Sequence, residues 1–110
     1  MPIQVLVSQA GPLPIKATFN SEGDQPVYLE VNGSVWTPTL NTMIGIVIQI
    51  DGQTVGQAQI FSNTAATHRV VVPAYIQLQL GFGQHTISLS PLPGDTVSDA
   101  YDSYTAVIHY

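Results

Sequence analysis

The stretch MIGIVIQIDGQTVGQAQIF, residues 43–61, decides the fold. Ile44, Ile46, Ile48 and Ile50 recur at every second position, the period of a strand whose side chains point alternately to opposite faces. Asp51-Gly52 follows, a dipeptide that tolerates the two positive φ angles of a type I′ turn, which links adjacent antiparallel strands. Beyond it Val55, Gln57, Gln59 and Phe61 alternate with Gly56, Ala58 and Ile60. The segment reads as a β-hairpin. Its first arm is apolar on both faces, because Met43, Gly45 and Val47 oppose the isoleucines. Such a strand is expected to be covered on both sides, here by another copy of the chain.

The same period-two pattern extends outward in both directions. Upstream, Ile3, Val5 and Val7 alternate with polar or outward residues until Gly11-Pro12 and Pro14 break the strand. Ile15, Ala17 and Phe19 form the next strand, Asn20 to Asp24 a polar turn, and Val27, Leu29 and Val31 a third strand. Downstream, His68, Val70 and Val72 alternate up to Pro73, then Ile76, Leu78 and Leu80 up to Gly81-Phe82-Gly83. His85, Ile87 and Leu89 share one face of the following strand, Asp95 to Ser103 reads as an acidic loop, and Tyr104 to Tyr110 as a final strand. No window of helical length carries apolar residues at i, i+3, i+4 and i+7. Eight or nine short strands with regular turn signals specify an all-β fold. We expect a two-sheet antiparallel β-sandwich, a jelly roll of TNF-like type in preference to an immunoglobulin-like one. Residues 1–110 read as a single β-sandwich domain, without linker or internal repeat.

Composition narrows the partners. Charged residues make up 8% of the chain, against about 25% in an average protein. Lys16 and Arg69 are the only basic side chains beside seven carboxylates, a formal charge of −5. Two cations cannot line a groove for a phosphate backbone, so nucleic acid is excluded as a partner, and an anionic membrane surface with it. The longest apolar run, Met43 to Ile50, falls well short of the ~20 residues that span a bilayer. The start at Met1-Pro2 lacks a signal-peptide pattern, so synthesis in the cytoplasm is expected. The absence of cysteine excludes disulfides and thiolate metal sites. A surface whose polarity rests on Gln, Asn, Ser and Thr suits hydrogen bonding to neutral polyols.

Catalytic signatures are missing. There is no G-x-S-x-G elbow, no phosphate-cradling loop before a helix, and no acidic pair of evident separation. His68, His85 and His109 fall on three expected strands without a His-x-His pair. They read as core-edge histidines with hydrogen-bonded rings rather than metal ligands. Asp95, Asp99 and Asp102 gather hard oxygen donors in one loop and form the candidate calcium site. Trp36, at a strand end, and Tyr101 and Tyr104, flanked by aspartates, are the candidate aromatic platforms, with Asp99 as their hydrogen-bonding neighbour.

The short motifs Gly33-Ser34-x-Trp36, Asp51-Gly52-x-x-Val55-Gly56, His68, Pro73 and Gly83-x-His85-Thr86-Ile87-x-Leu89 resemble small bacterial or phage β-sandwich proteins. Their layout is similar to trimeric TNF/C1q-like jelly rolls. That resemblance implies a jelly roll and threefold assembly and carries over no functional residue. The expected function is a non-catalytic recognition module, lectin-like and carbohydrate-binding or receptor-binding, presented in a homotrimer. The alternatives are a structural assembly protein of a phage or capsid-like particle and, after it, a metal-dependent jelly-roll enzyme.

Overall fold

The computed structural model describes residues 3–23 and 25–110. Met1, Pro2 and Asp24 lie outside these residues, and with them the expected chain start and part of the Asn20–Asp24 turn. Nine strands follow one another: β1 (Ile3–Ala10), β2 (Ile15–Ser21), β3 (Pro26–Val35), β4 (Thr42–Ile50), β5 (Gln53–Ser62), β6 (Arg69–Val70), β7 (Ala74–Gln79), β8 (Gly83–Pro91) and β9 (Ser103–His109). No helix occurs among the described residues.

The pairing is that of one long antiparallel ribbon rolled up. β4 pairs with β5 at its tip, then β3 with β7, β2 with β8 and β1 with β9. Partners therefore step outward from the Asp51-Gly52 turn. Rolling the ribbon sets β9 beside β3 and β8 beside β4. One sheet then runs β1-β9-β3, with β7 and the short β6 both on the far side of β3, and the other runs β2-β8-β4-β5. This nested order is a jelly roll; the two sheets of an immunoglobulin-like sandwich do not nest in this way. At the tip, Asp51 has φ 51° and Gly52 φ 83°, the two positive angles of the expected type I′ turn.

The core lies between the sheets. Val27, Leu29, Val31, Val35, Ala106 and Ile108 face Ile15, Phe19, Ile87, Leu89 and the four isoleucines of β4, all buried. Each large side chain so buried contributes about 1.5–3 kcal/mol.

Two expectations need correction. The strand expected from His68 to Val72 shrinks to β6, because the chain there crosses from one sheet to the other. Val71 N–H donates to Gly33 on β3, and Val72 N–H to Gln59 on β5, while Pro73 has no N–H to offer. The second apolar face of β4 is also narrower than it reads in sequence. Val47 stands between Gln57 on β5 and Ser90 on β8, and Gly45 adds no side chain. On this face Met43 and its partner Phe61 on β5 are exposed, and a second set of exposed apolar side chains lies on the outer face of the other sheet, where Ile3 and Val5 are each 56% exposed. Across that face, Val5 aligns with Val107, Glu30 and Tyr75, and Ile3 with His109 and Tyr28.

Candidate recognition site

One end of the sandwich is built where β3 finishes and β9 begins. Trp36, one residue past β3, exchanges backbone hydrogen bonds with Val97, N···O 2.9 and 2.8 Å. Gly11, just past β1, donates its N–H to the Asp102 carbonyl at 2.8 Å. These bonds tether the acidic segment between them.

Asp102 is fully buried, and a buried carboxylate persists only where donors surround it. Its Oδ1 accepts the Ser34 hydroxyl at 2.8 Å and faces His68 Nδ1 at 2.7 Å. Its Oδ2 accepts the Asp99 N–H at 2.9 Å. Asp99 in turn holds two aromatic residues. Its Oδ2 accepts the Trp36 indole N–H at 3.1 Å, and its Oδ1 accepts the Tyr101 N–H at 2.8 Å. The His68 ring lies 6.1 Å from that of Trp36 between centroids, with Nε2 3.8 Å from Asp99. The hydrogen bond to Asp102, helped by the charges of both aspartates, raises the His68 pKa above its ordinary value against the opposing effect of desolvation. Tyr101 projects outward, 90% exposed.

The structure thus links Asp99 to the Trp36 indole and to the Tyr101 backbone. His68 joins them, an exposed loop residue where a core-edge strand position was expected. Nothing in its spacing signals this, since its partners are 31 and 34 residues further along the chain.

Tyr104 is not an exposed platform. It is the second residue of β9 and 1% exposed, because it shares a face with Ala106 and Ile108. Its ring fills the space left by two glycines: a Cβ at Gly33 would collide with it, and one at Gly11 would lie 3.0 Å from its Cε2. Burial pushes the phenol up to about 12. Among the described residues the hydroxyl has no partner at hydrogen-bond geometry; Ser98, the polar side chain nearest in effect, accepts the Leu13 N–H at 2.9 Å.

The calcium trio also comes apart. Asp95 accepts the Thr42 hydroxyl at 3.1 Å and stands outside the group formed by His68, Asp99 and Asp102. The ligand atoms of that group lie within 4.8 Å of one another. Calcium calls for six to eight oxygens. Here one donor is an imidazole, and both Asp102 oxygens already accept protein hydrogens, so the residues present do not fit that ion. The other histidines lie with other carboxylates, His85 with Asp51 at 2.6 Å and His109 with Glu30 at 3.0 Å. The three rings form no common metal centre.

No protein-family model and no curated protein sequence matches the chain. Solved structures match at low identity. The first CBM36 domain of a multidomain xylanase from the hindgut metagenome of Trinervitermes trinervoides is 12% identical, with 99% of this chain and 98% of that one covered and a TM-score of 0.49. A family 35 carbohydrate-binding module from Clostridium thermocellum is 13% identical over 96% and 90% of the two chains, TM-score 0.48. The chain of T=1 particles derived from infectious bursal virus is 14% identical, with a TM-score of 0.51, and this protein spans 99% of itself but 31% of that chain. At such identity the likeness to the viral chain is one of fold, and it agrees with the jelly-roll order of the strands.

Proposed function

We propose that the protein is a non-catalytic recognition module that binds neutral carbohydrate at the Trp36 end of the sandwich. The observation that carries this reading is the anchoring at Asp99, whose Oδ2 accepts the Trp36 indole N–H and whose Oδ1 accepts the backbone N–H of Tyr101, with the Tyr101 side chain extending into solvent beside it. Aromatic faces meet the C–H surfaces of a sugar ring, while the accessible parts of Asp99 and His68 offer hydrogen bonds to its hydroxyls. The scarcity of charge on the chain favours a neutral ligand. A non-catalytic role is supported by Ser34, the hydroxyl nearest the His68–Asp102 pair in bonding terms, which donates to Asp102 and not to the imidazole. A glycan array tests the proposal. Binding to one sugar class is expected, weakened about tenfold or more by Trp36→Ala or Tyr101→Ala; an array without any bound class, beside tight binding to a protein receptor, would overturn it.

A second reading, a structural assembly subunit, is favoured by the exposed Ile3, Val5, Tyr28 and Tyr75 on one sheet face. Both readings include a homo-oligomer, with a trimer as the copy number carried from the sequence. Light scattering is expected to give a multiple of the chain mass, reduced by Val5→Lys and unaffected by Val47→Lys. A monomer mass for the unaltered protein would remove the oligomer from both, and lattices in electron micrographs would favour the second.

A further inference from the structure

The opposite end of the sandwich holds a cleft of about 500 Å³ that the Trp36 site does not use. Its walls come from Gln4 near the start of β1, Glu22 just past β2, Gln25, Pro26 and Val27 leading into β3, and Tyr110 after β9. We propose that this cleft is a second ligand site, and that it takes a neutral polyol of pyranose size.

The volume lies within the range of small-molecule sites, about 300–1,000 Å³. Charge selects the class. Among the described lining residues Glu22 is the one carboxylate side chain, and neither Lys16 nor Arg69 lies there. A phosphate, sulfate or carboxylate ligand would meet the Glu22 charge with no Lys, Arg or His among the described lining residues to offset it. The polar groups are arranged for hydroxyls. The Tyr110 hydroxyl donates to Gln4 Oε1, which leaves the Gln4 NH₂ as a donor. Gln25 brings a second amide, and the exposed Glu22 carboxylate accepts from several directions. Adjacent sugar hydroxyls, each both donor and acceptor, match this mixture.

The Tyr110 ring and Pro26 supply apolar surface for C–H groups. The Gln4 bond holds Tyr110 in place before a ligand arrives, which lowers the ordering cost of binding. β3 runs from this cleft to the Trp36 site over ten residues, a separation of about 30 Å at ~3.3 Å per residue. The two sites are therefore independent, and one chain can engage two sugars at once.

Titration of ¹⁵N-labelled protein with D-glucose, D-galactose and D-mannose, followed by NMR, tests the site. The side-chain NH₂ signals of Gln4 and Gln25 and the backbone signals of Gly23 and Tyr110 are expected to shift saturably with at least one hexose. The shifts persist in Trp36→Ala. Glu22→Ala, at an exposed position, weakens binding about tenfold with the rest of the spectrum in place, and Glu22→Gln weakens it less. No saturable shift with any hexose, or shifts confined to the Trp36 end, would overturn the proposal. So would shifts with glucosamine alone, which would make this a cation site. Failure of the Trp36 reading shows differently, as an unmoved indole signal beside an intact response at the cleft.

Discussion

Between Gly11 and Gly33 the Tyr104 ring has no room to spare, and its hydroxyl gains nothing for being buried. An unpartnered buried hydroxyl is a cost, so Tyr104→Phe should leave stability unchanged or raise it by up to about 1 kcal/mol. Gly33→Ala should lower it by about 1–3 kcal/mol, because the new methyl overpacks against the ring. Urea unfolding of the two variants checks both signs. A large loss in Tyr104→Phe would mean that the hydroxyl has a partner. Tyr104 was open to a better reading from sequence, since the alternation Tyr104, Ala106, Ile108 already put it on the inward face. Aspartates nearby in sequence suggested a loop, but they belong to the segment before the strand. His68 was not open to such a reading: its site is made by residues from β3 and from the loop before β9, contacts that local periodicity does not encode.

At the scale of elements, the Asp51-Gly52 hairpin was legible because turn chemistry and strand period agree within twenty residues. Less visible was the clip that fastens it. The His85 ring places Nδ1 2.6 Å from Asp51 Oδ2 and Nε2 2.8 Å from the Gly81 carbonyl oxygen. An ionised carboxylate and a carbonyl oxygen both only accept, so the doubly protonated ring satisfies both contacts at once. It ties the β4–β5 turn to the loop before β8. Its pKa is raised by the bond to Asp51 and then by the Gly81 carbonyl, while Asp51 is lowered by His85 and by the Thr86 N–H.

A raised histidine stabilises the fold fully below its ordinary value, about 6.5, and that contribution is lost as pH rises through the elevated one. A lowered aspartate stabilises above its ordinary value, about 3.9, and that contribution is lost as pH falls through the depressed one. The clip therefore contributes most between about pH 4 and about pH 6.5. Asp51→Asn keeps an Asn-Gly turn and an acceptor for Thr86. It should be less stable than the parent in that window and close to it at alkaline pH. Equal stability of the two proteins across the whole range would show that the imidazolium is not held as described.

For the whole molecule, the sandwich and its strand count follow from alternation, and the jelly-roll order from the central hairpin on which the remaining strands nest. The apolar surface did not follow, because one strand read alone does not show its neighbours: Val47 lies between Gln57 and Ser90, whereas Val5 lies in line with Val107 and Tyr75. The Trp36 end draws on β3, the loop holding His68 and the segment before β9, and it assembles only once the ribbon has rolled. Trp36 is the sole tryptophan of the chain and part of that end, so its fluorescence reports directly on the site. Titrating the protein with the oligosaccharide selected by the array should change the Trp36 emission saturably, with the same midpoint as calorimetry and with the change lost in Tyr101→Ala. Calorimetric binding that leaves the Trp36 emission unmoved would contradict the account.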